Sequence, residues 1–273
     1  MPESVMRPHQ VFSMRHVARA LDGFRVPTGP FDPSGPWTAT YDLVERAFKL
    51  RTIGALRLER RPTAAGGAVL RFQFRKQGGG GVVRAAGEVF LAADELSSTS
   101  GWSLETWVAD RSGQDVAGTR ARERVEVKEG VVRRTGEGLA ARETTLTGPL
   151  TTEWGLFDAV QRLPRTPGGE WRFSLADRFG ACLKPGQVLA TGPALTVSLG
   201  GRSVWGEEAR PLAAGTVYRP VEKAEGATDL RLQAYEHTGQ GILPTTYWVD
   251  DAGRLVFAVS GMTGWVLNPE TQI

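Results

Sequence analysis

Residues 69–75 read Val-Leu-Arg-Phe-Gln-Phe-Arg, and this run decides the fold class. Leu70, Phe72 and Phe74 fall on one side of an extended chain and Arg71, Gln73 and Arg75 on the other, the period of two that a half-buried strand requires. A helix would scatter the same side chains around its axis. The spacing therefore predicts a sheet with one wet face.

Working outward, similar runs lie at 38–47, 55–61, 82–91, 103–109 and 119–132, separated by Ala65-Gly66-Gly67, by Gly78 to Gly81 and by Asp110-Arg111-Ser112-Gly113. Connections this short join antiparallel neighbours, so a meander is expected. Further strands are expected at 187–191, 194–199, 215–218, 229–235, 245–249, 254–260 and 262–267. Asp250-Asp251-Ala252-Gly253 reads as a hairpin turn, with glycine where a positive φ is needed. One interior helix interrupts the strands. It follows Pro149, takes Thr151 or Thr152 as its cap, carries an apolar stripe of Trp154, Phe157, Ala159, Val160 and Leu163, and ends at Pro164.

The chain opens differently. Val11, Met14, Ala18 and Leu21 stand at helical spacing within residues 10–24, and Pro27, Pro30, Pro33 and Pro36 then defeat both helix and ladder. Residues 1–36 are thus read as an N-terminal helix and proline-rich linker, and 37–273 as a single curved antiparallel β domain. The helix's apolar stripe needs a partner, and the linker gives it reach as a lid. Arg7, His9, Arg15, His16 and Arg19 interrupt the apolar core that a secretory leader needs, so the sequence as it stands points to the cytoplasm. A periplasmic location is the expectation if an export leader has been removed. No apolar run reaches membrane-spanning length.

At 273 residues and 41% hydrophobic, the chain can bury a substantial core, which excludes disordered and collagenous classes. A single cysteine, Cys182, excludes an intrachain disulfide and a multi-cysteine zinc site, and reads as a core filler. Between residues 49 and 84, Lys49, Arg51, Arg57, Arg60, Arg61, Arg71, Arg75, Lys76 and Arg84 stand against Glu59 alone. A basic face invites nucleic acid or anionic lipid. However, 28 arginines beside five lysines and one asparagine are the mark of a GC-rich genome, and no recognition motif accompanies the charge. Nucleic acid is not an expected partner.

Tests for cofactor chemistry fail. Gly239-Gln240-Gly241 runs into Ile242-Leu243-Pro244 instead of a helix opening, and Gly78 to Gly81 lead into a strand with no Lys-Ser/Thr following. No cofactor and no metal site are expected. His237 lies within the strand region beside Glu236, and with Asp250 these are the candidate acid/base residues of any catalysis. Of the eight tryptophans, Trp102, Trp107, Trp154 and Trp248, together with Tyr247, are the candidates to line an apolar pocket.

The stretch Gly239 to Phe257, GQGILPTTYWVDDAGRLVF, resembles the closing hairpin of the LolA/LolB-like superfamily, and the meander from Trp37 and the helix at Trp154 fit the same outline. The resemblance covers most of residues 37–268 in pattern. It implies a large curved antiparallel sheet, a half-barrel, with one or two short helices over its concave face. Many members carry acyl chains or lipoproteins in the concavity, and the violacein-pathway enzyme VioE uses a related fold for cofactor-free catalysis. This chain departs from the exported carriers in lacking a lipobox cysteine. The expected function is a binding protein that holds a hydrophobic or amphipathic small molecule or lipid in the half-barrel. The alternatives are a cofactor-free enzyme acting on a hydrophobic intermediate through His237, Glu236 and Asp250, and a structural or assembly protein presenting sheet edges or tryptophans. The sequence leaves oligomeric state open.

Overall fold

Alternating apolar runs need a partner for their dry face, and here nearly all of them find it in one sheet. The computed structural model describes residues 5–6, 27, 29–46, 50–137, 139–177, 182–199, 210–212, 215–217, 228–261, 263–268 and 270. Its strands are β1 (Val5–Met6), β2 (Trp37–Arg46), β3 (Leu50–Pro62), β4 (Ala68–Gln77), β5 (Val82–Leu91), β6 (Thr99–Ala109), β7 (Ala121–Lys128), β8 (Val131–Gly136) and β9 (Leu139–Thr145). After β10 (Leu150–Thr152) and helix α1 (Glu153–Arg162) come β11 (Glu170–Asp177), β12 (Cys182–Leu199), β13 (Arg210–Leu212), β14 (Gly215–Val217) and β15 (Thr228–Thr238). The series closes with β16 (Thr245–Asp250), β17 (Leu255–Ser260) and β18 (Thr263–Leu267).

Fifteen of these strands form one unclosed sheet, ordered β10-β11-β12-β15-β16-β17-β18-β2-β3-β4-β5-β6-β7-β8-β9. β1, β14 and β13 form a separate small sheet. The late strand β18 lies beside β2, with Trp265 opposite Leu43, so the two halves of the chain are stitched into one surface. All neighbours in the large sheet are antiparallel except β10 and β11. Parallel neighbours need a crossover connection, and α1 is that connection. It must therefore cover one face of the sheet.

The helix also measures the curvature. Trp154 lies 6.4 Å from Phe74 of β4 and 5.7 Å from Trp265 of β18, while Phe157 lies 5.3 Å from Tyr41 of β2 and 5.9 Å from Tyr247 of β16, centroid to centroid. β16 and β4 are five steps apart in the sheet order. In a flat sheet that separation is about 24 Å, beyond the reach of one helix. The sheet is wrapped around α1. Gly87 of β5 marks where the wrap is tight, since a Cβ there would overlap the Ser103 carbonyl oxygen and touch the Phe72 ring at 3.0 Å.

The expected strand at 119–132 is two strands, β7 and β8, joined by Glu129 and Gly130, both at positive φ. Glutamate is a poor marker of such a turn, which hid it. The runs at 187–191 and 194–199 are one strand, β12, with an irregularity between Thr191 and Ala194. Five strands were not expected: β1, β10 and β13, each two or three residues long, and the longer β9 and β11. β9 is an edge strand whose residues 141–145 are all exposed, and β11 is buried on both faces from Phe173 to Asp177, so neither alternates cleanly. The helix expected at 10–24 lies outside the described residues. β2 begins at Trp37. The described part of the proline-rich segment before it rests on the body: Arg60 donates to the carbonyls of Ser34 and Gly35, and Trp37 Nε1 donates to Pro33 O at 3.3 Å.

Candidate functional site

α1 is held inside the half-barrel by polar contacts at its C-terminal half. Asp158, fully buried, accepts from Arg60 Nε at 2.7 Å, from Ser97 Oγ at 2.6 Å and from Arg162 Nε at 3.1 Å. Gln161 Oε1 accepts the N–H of Leu255 at 3.1 Å, and the Tyr235 hydroxyl donates to Leu163 O at 2.9 Å, just past the helix end. Burial pushes the Tyr235 phenol up to about 12, so it remains a donor at neutral pH. At the other end, Thr152 caps the helix by accepting from Gly155 N at 2.9 Å.

The N-terminal half of the helix roofs a cavity of about 540 Å³. Trp154, Phe157, Tyr247 and Trp265 supply aromatic walls, with Leu156, Leu175, Ile242, Leu243 and Ala258 beside them. Into the same space come Lys76 of β4, Glu153, Asp177 of β11, Lys184 of β12 and His237 of β15, with Ser260 and Thr263. The space is therefore two-sided in character, an aromatic and aliphatic lining with a cluster of ionisable groups.

The polar cluster is ordered. Lys184 pairs with Asp177 across the β11–β12 register and also donates to Gly241 O at 2.8 Å, tying the 239–244 loop to the sheet. His237 is 3% exposed and its ring lies 5.2 Å from that of Phe173. Burial chiefly, and then the nearby Lys184 ammonium, push its pKa down to about 4 against an opposing pull from Asp177, so the imidazole is neutral at pH 7. Its Nε2 lies 3.1 Å from Oε1 of the fully buried Gln187.

The candidate acid/base residues do not converge. His237 lines the cavity, but Glu236, its chain neighbour, points to the opposite face of β15. Asp250 lies five positions along β16 from Thr245, the residue opposite His237, a distance of about 17 Å. Asp250 instead shapes the hairpin, its Oδ1 accepting from Arg254 N at 2.8 Å and Gly253 following at φ +95. The charged partners near His237 are Asp177 and Lys184.

Of the aromatic candidates, Trp154 and Tyr247 line the cavity. Trp102 sits deeper, against a separate void of about 20 Å³ that it shares with Trp154 and Phe72. Trp107 is on the outer face of β6 beneath Arg120, 5.0 Å from ring centre to guanidinium. Trp248 is fully buried on the reverse face of β16 against Phe257. Sequence reasoning missed Trp265, Gln187 and the Asp177–Lys184 pair as site residues. One signal was available for Asp177, a carboxylate standing at the end of a mostly apolar stretch, Phe173-Ser174-Leu175-Ala176.

Several arginines of the basic run between residues 49 and 84 meet acidic partners, on a neighbouring strand, on α1 or on their own strand. Arg71 bonds Glu88 at 2.6 Å and Arg61 bonds Glu59 at 2.6 Å, both exposed. Further along the sheet, Arg120 and Arg122 share Glu105 at 2.7 and 3.0 Å. Among the described residues no group of three or more His, Cys, Asp or Glu is placed to hold a metal ion, and no helix is long and apolar enough to cross a membrane.

No family model matches the chain, and no curated protein matches it. Among solved structures it is similar to a β-barrel-like protein of a domain of unknown function, DUF1849, from Brucella abortus, at 11% identity and a TM-score of 0.50 over 86% of this chain and 95% of that chain. At that identity the likeness shows a barrel-like β fold and nothing further.

Proposed function

We propose that this protein binds an amphipathic small molecule or lipid, with its apolar body between α1 and the concave sheet and its polar end toward Asp177, Lys184 and His237. One observation carries the reading: a cavity of about 540 Å³ in which aromatic walls and a buried polar cluster face the same space. That volume lies within the range of small-molecule sites, roughly 300–1,000 Å³. A half-barrel of this kind, which resembles the LolA/LolB-like plan in sequence pattern, suits such cargo, because a sheet wrapped around one short helix leaves apolar surface that a ligand can cover. Native mass spectrometry of the purified chain, followed by solvent extraction, tests it: a stoichiometric apolar adduct supports the reading. A protein that stays free of adduct after incubation with a total bacterial lipid extract opposes it.

A second reading, a cofactor-free enzyme acting on a hydrophobic intermediate, is favoured by one feature, the neutral His237 imidazole on the cavity wall. A neutral ring is the form that takes a proton. In this reading Asp177 and Lys184, not Glu236 and Asp250, are the charged groups near it.

A further inference from the structure

Gln187 fixes which nitrogen of His237 carries the proton. The Gln187 amide nitrogen is 3.0 Å from Pro185 O and 3.3 Å from Gln240 O. Both neighbours are acceptors, so the group facing them must be the NH2, and the group facing His237 must be the carbonyl oxygen. A carbonyl only accepts, so His237 Nε2 is the donor in their 3.1 Å contact. In a neutral imidazole this leaves Nδ1 as a lone-pair acceptor. The arrangement is held from several sides. Gln187 is fully buried, and Gly239 lies so close that any Cβ there would overlap its amide.

We propose that the cavity selects amphipathic molecules whose polar end is a neutral hydrogen-bond donor, a hydroxyl or N–H group, and that His237 Nδ1 is the atom that accepts it. This inference rests on the binding function proposed above. The ion pair next to it is already satisfied: Lys184 has Asp177 and Gly241 O, so a charged headgroup would have to break contacts in order to gain one. The other ionisable groups facing the cavity, Lys76 and Glu153, are of opposite sign, so together with the Asp177–Lys184 pair they give it no net charge to attract an anion or a cation. When a ligand expels water, an acceptor on a 3% exposed side chain is left bare unless the ligand supplies a donor.

The test compares three ligands of one chain length: decan-1-ol, decyl methyl ether and decanoate, each titrated against 1-N-phenylnaphthylamine bound to the protein at pH 7. The alcohol should bind about tenfold or more tightly than the ether, which keeps the oxygen but carries a methyl group in place of the donor hydrogen. Decanoate should also fall below the alcohol. His237→Phe should bring the alcohol-to-ether affinity ratio to about one. In parallel, two-bond ¹H–¹⁵N correlation on the wild type should show a protonated Nε2 and an unprotonated Nδ1, with the Nδ1 resonance moving when decan-1-ol is added. This second readout does not depend on the variant's folding. Equal binding of alcohol and ether, tightest binding of decanoate, or a protonated Nδ1 overturns the inference and leaves the carrier reading standing. Failure of all three ligands and of the fluorescent probe to bind overturns both.

Discussion

Arg60 Nε and Asp158 Oδ1 meet at 2.7 Å inside the half-barrel, one on β3 and one on α1, with side chains 5% and 0% exposed. This contact joins the helix to the meander across 98 residues of chain and fixes where the cavity's roof sits. Breaking a buried pair from one side leaves the other charge uncompensated, at about 3–5 kcal/mol. Asp158→Asn should lower stability by that order in urea unfolding. Arg71→Ala, which opens an exposed pair on the outer face, should cost about 0–1 kcal/mol. Equal costs would mean that the internal pair does not hold the helix.

Gly155 gives a prediction whose sign is informative. Helix propensity alone says that Gly→Ala in a helix stabilises by about 1 kcal/mol. Here a Cβ would overlap Thr151 Oγ1 and come within 3.4 Å of Ser97 O. Gly155→Ala should therefore destabilise, and adding Thr151→Ala should recover part of the loss. Thermal melts of the two variants decide the sign.

The His237 shift makes stability depend on pH. Its folded value, about 4, lies below its ordinary 6.5, so between those values the unfolded chain binds a proton that the native chain does not. Its contribution is thus full above pH 6.5 and is lost as pH falls toward 4, to a total on the order of 3 kcal/mol. Urea midpoints of wild type and His237→Gln, measured from pH 7.5 to 4, should converge as pH falls. Parallel curves would place His237 in a wetter setting than the structure gives it.

How much of this was legible in the sequence follows from what a one-dimensional pattern can carry. β4 was readable because Leu70, Phe72 and Phe74 alternate with polar residues on a face that stays wet. β11 was not, because both of its faces are buried from Phe173 on, and burial on both sides erases the alternation. α1 was readable from Thr152, the apolar stripe and Pro164, but its buried Asp158 is met by Arg60 and Ser97, far away in the chain, as well as by Arg162 on the helix itself. The site divided in the same way. His237 stood out as a histidine among strands, whereas its partners come from β11 and β12, and no local spacing announces them. Glu236 and Asp250 were chosen for nearness in sequence, yet strand geometry sends Glu236 to the opposite face from its neighbour His237 and places Asp250 at the far end of β16.

If the space under α1 is a binding site, a variant that fills it must block binding. Thr263 lines the cavity on β18, half-buried and in the same inward register as Trp265, so Thr263→Trp should fill the space without removing a core contact. Fluorescence titration of both proteins with 1-N-phenylnaphthylamine is the measurement. Saturable one-to-one binding to the wild type is expected, with at least a tenfold loss in a Thr263→Trp protein whose circular dichroism and melting temperature match the wild type. Undiminished binding to that folded variant, or no saturable binding to the wild type, would contradict it.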